Sequence, residues 1–290
     1  MLIVNQIENT HFSKTEKEIV DYIIDQGMNI EKMSANEIAR NTFTSAPLLV
    51  RIAKKLGYSG FNEFKSAYLK ELAYMLEETD VDASIPFLLS DDLMTITKNL
   101  ALLEKETIQD TQQLNHHDDL QEAVRLLQKA QVIDVYGVLD HVLLAKHFKT
   151  LMMYIGKDVQ VIDQVTGQKR SACLADETHC AIIISYSGQT EEMLEVAEIY
   201  HKRNIPFISI TCMAENSISR LADVHLYLSS REMLHIKIGD FASTTSLKYL
   251  FDVLYAGIFS KNYKKNLETK IVVASYVDDR QSEDEYINEK

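Results

Sequence analysis

A chain of 290 residues, 46% of them hydrophobic and only nine Gly and three Pro, is too long for one ordinary domain and too apolar for a disordered segment, so two packed domains are expected. The longest purely apolar runs, such as Ala181–Ile184, fall far short of the roughly 20 residues a membrane helix needs, and Met1–His11 mixes polar and acidic groups where a secretory signal would be basic and then apolar. A cytoplasmic location without a membrane partner is therefore expected. The net charge of −13 is uneven: residues 1–75 carry nine Lys/Arg against nine Asp/Glu, the remainder 21 against 34, so the acidity does not exclude nucleic acid as a partner of the N-terminal part.

The first 75 residues read as helical. Ser13 and Glu16 have capping-box spacing before a helix carrying Ile19 and Ile23, with Gly27 near its end. Ser34 and Glu37 repeat the device before Ile38 and Ala39. A short connection, Asn41–Thr44, leads to Ser45, which is expected to cap a third helix running to about Leu56 and stopped by Gly57, with Pro47 in its first turn. This is the outline of a helix-turn-helix. At 100° per residue, Leu49, Ile52, Ala53 and Leu56 form a core stripe. Ser45, Ala46, Pro47, Val50, Arg51 and Lys54 lie at the start or on the opposite side, with Lys55 at the edge. Small groups near a helix start can approach bases, and cations can engage phosphates or guanine edges, so these seven are the candidate DNA contacts.

The stretches Phe12–Ile19, Met33–Ala39 and above all Val50-Arg-Ile-Ala-Lys-Lys-Leu-Gly-Tyr-Ser-Gly-Phe-Asn-Glu-Phe-Lys65 resemble the N-terminal domain of RpiR-family regulators. The resemblance covers about residues 1–75 and implies a helix-turn-helix that binds double-stranded operator DNA. One departure matters. Where the family carries a small residue and then threonine, this chain has Pro47 and Leu48, so operator preference does not carry over.

Residues 78–117 read as a linker and connecting helix, with a polar, acidic start over Thr79–Pro86. From Ser90-Asp-Asp an amphipathic pattern runs through Leu93, Ile96, Leu100, Leu103 and Ile108, suited to packing on the second domain or a partner subunit. Asp118 is expected to cap the next helix. His116 and His117, being adjacent, share no helix face and are not expected to bind metal. Cys173, Cys180 and Cys212 form no C-x-x-C pair and read as buried reduced thiols; no metal and no cofactor are expected.

From Gln131 the period changes. Val132–Tyr136, Ala181–Ser185, Ile205–Ile210 and Val224–Leu228 read as buried strands, with helices over Asp140–Tyr154 and Thr190–Arg203. The expected fold class is thus α plus α/β: an all-helical helix-turn-helix domain (1–77), then a three-layer α/β domain with a parallel sheet (118–262). Ligands of such sheets bind beyond the carboxyl ends of strands. One of those ends reads Ser185-Tyr-Ser-Gly-Gln-Thr-Glu-Glu192, placing three hydroxyls and a glycine where a helix opens, a setting that favours an anion. Neither a nucleotide P-loop nor a G-x-G-x-x-G turn is present.

The Ser185–Glu192 motif is similar to the S-x-S-G-x-T-x-E signature of SIS (sugar isomerase) domains, and the resemblance extends over 118–262 through Phe148–Lys157, Ile208–Thr211, Ser217–Asp223 and Ser246–Tyr255. It implies a phosphorylated-sugar effector held by Ser185, Ser187 and Thr190, with main-chain donors at Gly188 and Gln189. After the first strand the family tends to show G-x-G-x-S, whereas this chain has Gly137-Val-Leu-Asp-His141; His141 then stands where the serine would donate. The tail, 263–290, begins basic and turns acidic at Asp278–Glu289, with Ile271–Val273 a candidate edge strand.

These readings imply a sugar-phosphate-sensing transcription regulator rather than an enzyme, assembled as a homodimer or homotetramer. The alternative is a sugar-phosphate isomerase on the same fold. It would need a general base beside C1–C2 of the sugar, and Glu232 and His235 are the candidates, although their spacing specifies no proton abstraction.

Overall fold

A computed structural model describes Ile3, Ile7 and residues 10–76, 80–213 and 216–277. Thr79 of the expected linker and the acidic run 278–289 lie outside the described residues. Two compact units emerge. One comprises Met1–Glu106 with Cys212–Asn216 and Ser229–Ala242, the other Thr107–Thr211, Ser217–Leu228 and Ser243–Lys290.

The first unit opens with α1 (Lys14–Gln26), a 3-10 turn (Gly27–Lys32), α2 (Ala35–Asn41), α3 (Ala46–Lys55) and α4 (Phe61–Leu76). Both expected capping boxes form. Glu16 N donates to Ser13 Oγ at 3.4 Å while Ser13 N donates to Glu16 Oε2 at 2.9 Å, and Ser34 with Glu37 does the same at 3.2 and 2.6 Å, satisfying N–H groups that a helix start would otherwise leave unpaired. The helices close over one core in which Ile19, Ile23, Ile38, Leu49, Ile52, Leu56, Phe64 and Tyr68 are buried. A smaller cluster of the same unit holds Val81, Ala83, Leu103 and Ala242. Beside it Ile238 N donates to Ser84 O at 2.9 Å and Met233 N to Ser84 Oγ at 2.7 Å.

The expected amphipathic connector is helix α5 (Leu93–Leu114), followed by α6 (His117–Lys129). Leu103 is buried, but Leu93 and Ile108 are exposed, so only part of the apolar stripe is covered within the chain. The cap of α6 is His116 rather than Asp118, which sits in the first turn, where its charge favours the helix dipole without terminating the helix.

In the second unit β1 (Val132–Tyr136), β2 (Asp158–Ile162), β3 (His179–Ile184), β4 (Phe207–Cys212) and β5 (Val224–Leu228) form one sheet in the order β2-β1-β3-β4-β5. The β1–β2, β1–β3 and β3–β4 pairs are parallel, Ile133 facing both Val159 and Cys180. Helices cover both faces. Helix α7 (Asp140–Met153) sends Ala145, Phe148 and Met152 to one side, with α6 and α10 (Phe241–Lys261). Helices α8 (Val165–Leu174) and α9 (Glu191–Lys202) send Ala172, Met193, Val196 and Tyr200 to the other. The expected three layers are present. On the first side α6 and α10 approach so closely that a Cβ added at Gly257 would sit 2.6 Å from Val124 Cγ2.

Three further expectations need correction, and two elements were not anticipated. The fourth strand starts two residues later than Ile205. Strand β2 and helix α8 had no counterpart in the reading of the sequence. Ile271–Val273 lies within helix α11 (Tyr263–Val277), so its β-branched residues did not set the local structure. All three cysteines are free thiols, but Cys173 is exposed while Cys180 and Cys212 are buried; Cys173 lies on the outer side of α8, whose weak apolar periodicity does not mark that side.

Candidate functional site

The first candidate surface is the outer side of α3. With Leu49, Ile52 and Ala53 turned inward, Ser45, Pro47, Val50, Arg51, Lys54 and Lys55 are exposed and Ala46 is half-buried. Ser45 occupies the N-cap position, yet its hydroxyl caps no helix N–H. A capping hydroxyl takes the second or third N–H of the helix; Pro47 offers none, and Leu48 N donates to Ser45 O at 2.9 Å.

The cations of this face are not equivalent. Arg51 Nε lies 3.2 Å from Glu16 Oε1 and Lys55 Nζ 2.7 Å from Glu16 Oε2. Lys55 also reaches His11 O at 3.5 Å and stands over the Phe12 ring. The Glu16 carboxyl is buried, and its pKa is lowered to about 2, first by the Lys55 hydrogen bond and then by the Ser13 N–H. Among the described residues Lys54 has no acidic partner. The sequence identified Glu16 as a cap; its second role, holding two cations of α3, depends on how α1 and α3 pack and left no local signal.

The second candidate surface lies at the carboxyl ends of β1 and β3. The chain leaves β1 for α7 on one side of the sheet and β3 for α9 on the other, which makes this a topological switch point, where open α/β sheets bind their ligands. Gly137 directly follows β1. It is buried, and a Cβ there would sit 2.9 Å from His141 Cβ and 3.7 Å from Ile184 Cβ, so the turn into α7 leaves no room for a larger residue. His141 is half-buried at the start of α7, its N–H donating to Val138 O at 3.2 Å.

After β3 Ser185 is buried and its Oγ lies 2.7 Å from Thr190 Oγ1. Thr190 is the N-cap of α9 but makes no side-chain cap bond, because its hydroxyl is turned to Ser185. Gly188 (φ +64°) donates its N–H to Ser185 O at 3.0 Å, and Gln189 N donates to Ser187 Oγ at 3.3 Å. The two main-chain donors expected at Gly188 and Gln189 are thus occupied inside the turn. The N–H groups opening α9, at Glu191–Met193, are instead without a side-chain cap. Ser217 Oγ donates to Gln189 Oε1 at 3.1 Å and steadies the loop.

Gln168 was missed by sequence reasoning. It is buried on α8, and its Nε2 donates to Gly137 O at 2.8 Å and Ile162 O at 3.1 Å, tying the ends of β1 and β2 together. Two carbonyl partners fix the amide orientation, since the reverse would set oxygen against oxygen. The isomerase candidates are placed differently. Glu232 Oε1 accepts from Ala242 N at 3.1 Å and Oε2 faces Lys237 Nζ at 3.3 Å, so its carboxylate caps α10. His235 is exposed.

The two units define a helix-turn-helix protein that also carries a SIS-type α/β domain. Residues 1–75 match the rpiR-family helix-turn-helix domain and residues 126–251 the SIS domain, together more than half of the chain. It is 26% identical over 263 residues to an uncharacterized HTH-type transcriptional regulator of Caldanaerobacter subterraneus, covering 91% of this chain and 92% of that one. The HTH-type regulator YbbH of Bacillus subtilis is 27% identical over 250 residues, covering 86% and 87%. Among solved structures the Vibrio vulnificus NanR protein, complexed with ManNAc-6P, aligns with a TM-score of 0.61 and 24% identity over 96% of this chain and 98% of that one. The chain belongs to the RpiR family of transcriptional regulators. No described helix is long and apolar enough to cross a membrane.

Proposed function

We propose that this regulator binds operator DNA through Ser45, Ala46, Pro47, Val50, Arg51, Lys54 and Lys55, and senses a phosphorylated sugar at the ends of β1 and β3 through Gly137, His141, Ser185, Ser187, Gly188, Gln189 and Thr190. It works in the cytoplasm and is not an enzyme. The observation carrying the ligand assignment is the Ser185–Thr190 hydroxyl pair. It turns the N-cap hydroxyl away from its own helix and leaves the N-terminal N–H groups of α9 to an external acceptor. A phosphate can accept from hydroxyls and helix N–H groups together without a lysine. The NanR structure, whose ligand is a sugar phosphate, is consistent with that chemistry.

The test is thermal. Phosphorylated hexoses, pentoses and aminosugars, ManNAc-6P among them, are screened against their unphosphorylated counterparts and inorganic phosphate. At least one sugar phosphate is expected to raise the melting temperature while its unphosphorylated form does not. Ser187→Ala and Thr190→Val should each weaken that ligand about tenfold, the loss of one charge-assisted hydrogen bond. The same ligand must change DNA affinity, since coupling between two sites is reciprocal. A ligand converted to product, with DNA binding untouched, would establish the isomerase reading.

Assembly is expected to be a homodimer or homotetramer. Leu88, Leu89, Leu93 and Met94 are exposed, as are Met233, Leu234 and Ile236. The bonds to Ser84 hold these two segments of the first unit together. Monomeric proteins rarely leave that much apolar surface in water. Light scattering should give at least twice the chain mass; a monomer at micromolar concentration would refute the assembly.

A further inference from the structure

Helix α2 ends in a backbone arrangement that ordinarily calls for glycine. Phe43 N donates to Arg40 O at 3.2 Å and Thr44 N to Ala39 O at 2.7 Å, the paired bonds of a Schellman stop, and the residue between them adopts φ +53°. Glycine takes that conformation without penalty, whereas a bulky side chain is strained by its Cβ. Phe43 is also 98% exposed, so no packing inside the chain offsets the strain. A side chain that strains the backbone and covers nothing within its own protein is placed for contact with something else.

Position indicates what that is. Thr44 and Ser45 alone separate Phe43 from the start of α3, no more than about 11 Å along the chain, and the exposed Pro47, Val50, Arg51 and Lys54 follow directly. In the chain Phe43 is flanked by Asn41, Thr42, Thr44 and Ser45, so its own segment offers hydroxyls and an amide rather than a run of apolar groups. Such surroundings suit a phosphate backbone better than a protein interface. Deoxyribose carbons and thymine methyl groups give an aromatic ring apolar partners at a groove edge.

We propose that Phe43 is a DNA contact, its ring lying against sugar and base-edge carbons beside the N-terminus of α3. The proposal rests on the DNA-binding reading above, and its test separates the two. A duplex is selected from a random pool with the native full-length protein, and its affinity is measured for Phe43→Gly, Phe43→Asn and the Arg51→Ala/Lys54→Ala double variant. Glycine and asparagine both accept the left-handed conformation. Phe43→Gly should therefore melt about 2–5 °C higher than the native chain yet bind the duplex five- to tenfold more weakly. The salt slope should not change, because no cation is lost. Stability and affinity thus move in opposite directions, which a purely structural role cannot produce. Binding by Phe43→Gly within twofold of native overturns the proposal, as does a lower melting temperature, which would mean that the ring packs inside the protein. If the double variant weakens binding at least tenfold and the Phe43 variants do not, the DNA face stands and Phe43 is excluded from it. If no duplex is selected, or the double variant binds as the native chain does, the DNA-face reading falls and the proposal with it.

Discussion

Replacing Asp134 by Ala should lower the stability of the α/β unit by about 3 kcal/mol or more, a larger effect than any single core truncation of similar size. Asp134 is a buried carboxylate in the middle of β1, on the sheet face covered by α8 and α9. Its Oδ2 accepts from Tyr200 Oη at 2.6 Å and lies 2.6 Å from His179 Nδ1. Tyr200 Oη is 3.3 Å from Tyr136 Oη, which donates on to Ser171 Oγ at 3.3 Å. Burial, reinforced by the Asp134 charge, raises the Tyr136 phenol to about 12 and shifts Tyr200 in the same direction. Both phenols therefore stay protonated at any physiological pH. Alanine would leave Tyr200, which is fully buried, without its charged acceptor in a place water does not reach, and would also release His179. Asp134→Asn keeps one acceptor oxygen and should cost about half as much. Tyr200→Phe removes a donor and its need together, and should cost about 1 kcal/mol. Urea unfolding of the three variants would show that order; equal midpoints for Asp134→Ala and the native chain would mean that the network contributes nothing.

That network shows where sequence reading stops. Asp134 stands between isoleucine and valine in a strand that reads as buried, but its partners lie 45 and 66 positions away in the chain; strand pairing brings His179 near, and the packing of α9 on the sheet brings Tyr200. Where the signal was local, the sequence sufficed. The Ser13–Glu16 and Ser34–Glu37 boxes, the Leu49–Leu56 stripe and the hydroxyl-rich turn after β3 were legible because each depends on residues a few positions apart. Strand β2 was not, since Asp158 and Gln160 face outward on a sheet edge and make a real strand read as polar. Helix α8 carries Gly167 and little apolar periodicity, so it too was invisible. The N–H groups of Gly188 and Gln189 close the turn; whether an N–H faces outward or inward is a matter of backbone angles that residue types do not encode. Phe43 is the extreme case. The sequence gives phenylalanine at a position that the backbone geometry reserves for glycine, and nothing in the letters marks the conflict.

Glu16 should separate the two roles the fold gives it. Glu16→Ala removes the acceptor for Ser13 N–H and the partner of two cations, and should cost the helical unit about 3 kcal/mol. Glu16→Gln keeps an acceptor for the cap and removes the charge alone. Because Arg51 and Lys55 are themselves 64% and 39% exposed, water screens the pairs, and this loss should be about 1–2 kcal/mol near neutral pH. Its pH dependence has a definite sign. The folded-state pKa of Glu16 lies below the ordinary 4.5, at about 2, so its charge contributes in full above about pH 5 and the contribution fades as pH falls towards 2. The native chain and Glu16→Gln should therefore differ in stability at pH 7 and converge near pH 2. A difference that stays constant over that range would mean that packing, not charge, is responsible. On DNA the same variant should act in the opposite direction. Loss of one negative charge beside Arg51 and Lys55 leaves an additional uncompensated cation facing the backbone, so binding to a random duplex at low salt should tighten and the salt slope steepen by about one. Discrimination in favour of a selected duplex should fall, because Arg51 loses the contact that fixes its orientation. One buried carboxylate thus serves both the start of α1 and the two cations of α3, and the two readouts, stability and DNA affinity, separate those contacts.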